Sequence, residues 1–112
     1  MRIATWNVNS LTARLPHVLD WLAANPVQAL ALQELKMADE KFPHDALAAA
    51  GYSAAVYGQK TYNGVALLLR QPLAAEDVTR GISGFADDNA RLIAATVPAP
   101  GGPLRLVNGY FV

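Results

Sequence analysis

Val27-Gln28-Ala29-Leu30-Ala31-Leu32, followed at once by Gln33-Glu34, is an apolar run of strand length that ends on a carboxylate. Runs of this kind form strands buried on both faces, which points to a sheet with other layers packed on either side. Upstream, Arg2 to Asn9 alternates Ile3, Thr5, Asn7 against Ala4, Trp6, Val8, a second strand signal that closes on the polar residues Asn7, Asn9 and Ser10. Between the two lies a helical segment. Pro16 suits a first helical position, so the regular helix is expected to begin there, with Ser10 to Leu15 as a lead-in turn. Val18, Leu19 and Leu22 form its apolar face, and Asn25-Pro26 stops it. A strand, a covering helix and a second strand normally make a right-handed parallel crossover. That connection sets the C-terminal ends of both strands at one sheet edge, with Asn7 beside Glu34.

Further along, Pro43 to Ala50 reads as a short Ala-rich helix closed by Gly51, and Tyr52 to Tyr57 as a strand. Gly58 to Gly64 is a loop, Val65 to Leu69 a buried strand, and Leu73 to Val78 an edge strand limited by Pro72. Gly81 to Asn89 forms another loop. Arg91 to Val97 and Leu104 to Tyr110 pair as a hairpin around Pro98-Ala99-Pro100-Gly101-Gly102-Pro103. The chain stops at Tyr110-Phe111-Val112 directly after a strand, which suggests a fragment of a larger unit.

With 112 residues the chain is one domain at most, and 53% hydrophobic against 16% charged residues fits a chain that buries a core and excludes disorder. Nine Lys and Arg balance nine Asp and Glu, so net charge gives no case for a nucleic-acid or anionic-membrane partner, and any such case must come from a site. The absence of cysteine excludes disulfides, thiolate zinc sites and cysteine nucleophiles. No signal-peptide core or membrane-length apolar window is present, so a cytoplasmic location is the expectation.

A carboxylate at the exit of a buried strand is costly unless something pairs with it or binds it. Glu34 beside the amide of Asn7 could form half of a site for a hard divalent cation, which takes oxygen ligands. A purely structural alternative pairs Glu34 with Lys36 or a nearby Arg and has Asn7 cap the following turn. His17 and His44 read as solvated or capping residues, and Trp6, Trp21, Tyr52 and Tyr57 as core aromatics.

The order of four segments bears on the choice: Ile3-Ala4-Thr5-Trp6-Asn7-Val8-Asn9-Ser10, Leu32-Gln33-Glu34-Leu35-Lys36, Tyr62-Asn63-Gly64-Val65-Ala66-Leu67-Leu68 and Val107-Asn108-Gly109-Tyr110-Phe111. In this order they resemble the exonuclease III and abasic-site endonuclease branch of the endonuclease/exonuclease/phosphatase superfamily. The resemblance runs along the whole chain and departs at Leu35, where the family often has Thr. It implies an α/β fold, the N-terminal half of a DNase I-like four-layered α/β sandwich, with a mixed β-sheet carrying helices on one face.

The resemblance further implies that Glu34 ligates a catalytic Mg²⁺ or Mn²⁺, that Asn7 orients the site and shares in holding the metal, and that Tyr110 reaches the scissile phosphate. Lys36, Gln59, Lys60, Asn63 and Arg91 are the candidates for contact with double-stranded DNA bearing abasic sites or 3′ ends. The downstream Gly-Asp-x-Asn and Ser-Asp-His segments of the family have no counterpart in this sequence. Residues 1–112 therefore read as the N-terminal portion of one domain, inactive alone. Other phosphoesterases of the superfamily and a non-catalytic, self-associating module are the alternatives. A half-sandwich is expected to leave the inner face of its sheet bare, to be covered by a second copy in a homodimer.

Overall fold

The protein was analysed as a computed structural model, which describes residues 1–82 and 84–111. Strand β1 (Ile3–Asn7) leads into helix α1 (Leu11–Ala24) and then β2 (Ala29–Gln33), and β1 and β2 pair in parallel with Asn7 opposite Gln33. The crossover expected from the sequence is present. Helix α1 starts five residues earlier than Pro16. Ser10 caps it by accepting from the Ala13 amide, and Pro16 sits inside. The bond that Pro16 cannot donate would have gone to the Thr12 carbonyl, and Thr12 is exposed, so water can satisfy that oxygen.

After a short 3₁₀ turn at Asp39–Lys41 comes α2 (His44–Ala49), then β3 (Tyr52–Tyr57) and β4 (Val65–Arg70). These strands complete a four-stranded mixed sheet in the order β1-β2-β4-β3. On one face Leu30, Leu32, Val56, Ala66 and Leu68 pack with Leu11, Val18 and Leu22 of α1 and Leu47 of α2. The helices thus cover a single face, as expected.

Strands β5 (Glu76–Arg80), β6 (Leu92–Val97) and β7 (Leu104–Gly109) form a separate antiparallel sheet in that order. The edge strand expected at Leu73 to Val78 lies further along. Leu73 and Ala75 are spent instead on the core between the sheets, against Ala29, Leu69 and Val97. In the same layer Ile93 and Ala95 meet Ala55, Val65 and Leu67. This packing corrects the expectation of a bare inner face: the three-stranded sheet covers it, and the layers run helices, sheet, sheet.

Exposure falls elsewhere. Strand β7 packs over β2 and β4, so the inward-facing residues Ile3, Thr5 and Asn7 of edge strand β1 remain exposed. Val107 on the outer face of β7 is 64% exposed. Among the described residues no helix is long and apolar enough to cross a membrane.

Candidate functional site

Every loop that carries a candidate residue reaches the same edge of the sandwich. Because β1 and β2 are parallel and β4 runs antiparallel to β2, the ends of β1 and β2 and the start of β4 coincide, and β3 delivers its C-terminal loop to the same place. The segment after β2 is pinned from both sides. Glu34 and Leu35 carbonyls accept from the Ser10 and Leu11 amides at 2.9 and 3.0 Å, while Leu35 and Lys36 amides donate to the Gly64 and Asn63 carbonyls at 3.1 and 3.0 Å.

This bonding holds a strained backbone. Of the seven described non-glycine residues with left-handed φ, six lie on these loops: Asn9, Ser10, Glu34, Lys36, Thr61 and Asn63. Such conformations persist where surrounding bonds over-determine them, and they concentrate at functional sites. With Glu34 at φ 57° and Lys36 at φ 55°, the chain drops fully buried Leu35 into the core and leaves its two polar neighbours at the edge. Gly64 stands at φ +93°, where any side chain is strained, and a Cβ there would also crowd the Leu35 Cβ at 3.0 Å.

At the centre the Tyr110 hydroxyl donates to Glu34 Oε1 at 3.0 Å. The phenol pKa lies above its ordinary value, first because that hydrogen bond favours the neutral hydroxyl, then through desolvation and the carboxylate charge, with Arg91 opposing. Lys36 does not pair with Glu34; its Nζ donates to Asn9 Oδ1 at 2.7 Å. Asn7 Oδ1 accepts from the Asn9 amide at 3.1 Å, the turn-capping role, and Asn7 stands in register one residue before Glu34. Of the purely structural alternative, the Asn7 cap on the turn is present, while the hydrogen bond to the Glu34 side chain comes from Tyr110 and not from Lys36 or an Arg.

A second polar cluster lies beside the first. Gln59 Oε1 accepts from the Ala90 amide at 2.7 Å and from Asn63 Nδ2 at 3.2 Å, and Asn89 Oδ1 accepts from both Gln59 and Asn63. Gln59 and Asn63 are thus brought together, while Lys60 is exposed on the same loop. Arg91 is half-buried, its Nε enclosed without a hydrogen-bond partner. His17 and His44 are exposed, and the His44 ring is tilted 57° to that of Phe42 with centroids 4.8 Å apart.

Sequence reasoning missed Asn89, Gln33 and Asn108. Gln33 and Asn108 hydrogen-bond each other at 2.8 Å between the sheets, directly behind Glu34 and Tyr110. The available signal was an amide at an inward-facing strand position, which a folded chain tolerates only inside a satisfied network.

The donor set is a carboxylate and amide oxygens, without sulfur or imidazole, and that chemistry suits Mg²⁺ or Mn²⁺. Among the described residues no group of three or more His, Cys, Asp or Glu side chains comes together, at this edge or elsewhere.

Residues 4–109 match the Endonuclease/Exonuclease/phosphatase family. The chain is 38% identical over 116 aligned positions to exodeoxyribonuclease III of Haemophilus influenzae, covering 99% of this chain and 41% of the relative. It superposes on a 3′-5′ exonuclease from Neisseria meningitidis with a TM-score of 0.91 and 47% identity, covering 100% of this chain and 42% of that one. An AP endonuclease from Archaeoglobus fulgidus gives a TM-score of 0.88 at 36% identity, covering 98% of this chain and 40% of the other. With residues 4–109 matching the family and a fold that superposes on these structures at about two-fifths of their length, the chain belongs to the endonuclease/exonuclease/phosphatase family.

Proposed function

We propose that this chain is the N-terminal portion of a cytoplasmic, divalent-cation-dependent DNA-repair phosphodiesterase of the exodeoxyribonuclease III and abasic-site endonuclease kind. The observation that carries the reading is the Glu34 carboxylate, set at the sheet edge by a left-handed turn and bonded to the Tyr110 hydroxyl rather than to Lys36. Glu34 would hold Mg²⁺ or Mn²⁺ together with Asn7, and the cation would supply charge to offset that developing on the phosphate oxygens. Tyr110 lends a hydroxyl that can turn from Glu34 to a phosphate oxygen. Gln59 and Asn63 present amides, and Lys36, Lys60 and Arg91 cations, to the DNA backbone.

Turnover needs more than this edge holds. A single carboxylate with one tyrosine leaves the attacking water without a general base, and residues that act as a unit in catalysis fail together. The chain alone is therefore expected to be inactive. A second copy packing against the open β1 and β7 side is the assembly that the exposed Ile3 and Val107 favour.

The test joins this chain to the C-terminal three-fifths of the Haemophilus relative and assays a duplex with one abasic site in Mg²⁺. Incision by the chimera that falls by about a hundredfold in Glu34→Gln, with none by the 112-residue chain, is expected. Cleavage of phosphate monoesters or inositol phosphates in place of DNA would favour another branch of the superfamily.

A further inference from the structure

Gln33 and Asn108 are the buried polar side chains of the described residues, 9% and 3% exposed, in a layer otherwise filled by apolar groups. Amides in such a place are costly unless satisfied, and these two satisfy each other. Gln33 Nε2 donates to Asn108 Oδ1 and to Thr5 Oγ1, both at 2.8 Å. Asn108 Nδ2 donates to the Leu32 carbonyl at 2.9 Å and to the Ala66 carbonyl at 2.8 Å. Only one orientation of Asn108 works, because the flipped amide would set its oxygen against two carbonyl oxygens. The pair therefore ties β1, β2 and β4 of one sheet to β7 of the other at a single point.

We infer that Gln33 and Asn108 are positioning residues, which lock the two sheets in the one register at which the Tyr110 hydroxyl meets the Glu34 carboxylate. Glu34 directly follows Gln33. Tyr110 comes two residues after Asn108 and so shares its face of the chain. The apolar contacts between the sheets, Ala95 against Leu67 for example, are non-directional and resist sliding weakly. The ladder to β6 fixes β7 within its own sheet, so the freedom left is a slide of one sheet over the other, and a shift of two residues would carry Tyr110 roughly 7 Å, beyond reach of Glu34. Directional bonds from Asn108 to two carbonyls oppose that slide. What the Tyr110 and Glu34 contact is for rests on the proposed phosphodiesterase reading, whereas the locking itself rests on the geometry.

The test follows the ring resonances of Tyr110 by NMR in ¹³C-tyrosine-labelled protein, assigned with Tyr110→Phe. Glu34→Ala defines the position of a Tyr110 that has lost its hydrogen-bond acceptor. Asn108→Leu is expected to carry Tyr110 most of the way to that position. Tyr52, whose hydroxyl donates to the Val27 carbonyl at 2.8 Å, should stay put and report an intact fold. Should Asn108→Leu fail to fold, the smaller Asn108→Ala, which also removes both bonds to the Leu32 and Ala66 carbonyls, gives the same readout. A folded variant whose Tyr110 keeps the native position overturns the positioning role and leaves the function untouched. A Glu34→Ala variant that leaves Tyr110 unmoved overturns the contact itself, and with it both this inference and the chemistry proposed for the site.

Discussion

The four-stranded sheet is covered on both faces except along the inner side of edge strand β1, and the three-stranded sheet on one, and nearly every contrast in burial follows from that difference. Strand β4 is buried from Val65 to Leu69, held between α1 and α2 on one side and β6 on the other. Strand β7 buries Asn108 and part-buries Leu106 on its inner face while Arg105 and Val107 stay exposed. The lesson is that a chain can spend its apolar residues in a central sheet and leave a second sheet with an uncovered outer face and edge.

The largest effect that could break this comparison is a cavity. Leu68→Ala, at a position with 0% exposure, is expected to destabilise by about 2–5 kcal/mol, whereas Val107→Ala should stay within about 0.5 kcal/mol in a urea melt. A Val107 cost close to that of Leu68, growing with protein concentration, would mean that another molecule covers the outer face. Sedimentation addresses this directly. The proposed homodimer predicts a two-chain mass that Val107→Asp converts to one; a monomer before and after the change removes the dimer.

How far the sequence could be read also divides between the sheets. Tyr52 to Tyr57 and Val65 to Leu69 were legible as strands because apolar residues buried on both faces have no other use there. Strand β5 was not. Its paired residues, Glu76 to Arg80, are mostly exposed, while the apolar Leu73 just before them fills the inter-sheet core from an irregular segment. Apolarity therefore marked the wrong residues. The start of α1 was misplaced for a different reason: Pro16 is a strong local signal, yet the Ser10 cap and the burial of Leu11 at 0% exposure outweigh it.

In the site, Glu34 could be found because a carboxylate after Leu32-Gln33 is anomalous, and Tyr110 through the resemblance. Gln33 and Asn108 carried only the weak signal of an amide at an inward-facing strand position, because their value lies in a bond across 75 residues that no local pattern announces. Site contacts between the sheets are tertiary facts, whereas the strand ends that carry them are local ones.

The next effect is one of pH. The hydrogen bond to Glu34 favours the neutral Tyr110 phenol, so the folded state holds this proton more tightly than the unfolded one. Its contribution to stability is complete below the ordinary phenol value of about 10 and is lost as pH rises through the higher folded-state value. Absorbance titration should show one tyrosine ionising late. Glu34→Gln should bring that tyrosine down toward the ordinary value, and Tyr110→Phe should abolish the late step; a late step that survives Tyr110→Phe would assign it to another tyrosine.

The smallest effect distinguishes strain from capping at the polar edge. Ser10 caps α1 through a long bond of 3.4 Å to the Ala13 amide and stands at φ 87°, a backbone conformation that suits glycine. The two substitutions pull these apart. Ser10→Ala loses the cap and keeps the strain, and should cost about 0.5–1 kcal/mol, the lower part of the range for caps because the bond is long. Ser10→Gly loses the same cap but relieves the backbone, so it should be neutral or slightly stabilising in the same melt. Equal costs for both would mean that the hydroxyl alone matters and that the left-handed turn, shared with Asn9 and Glu34, carries no strain at this edge.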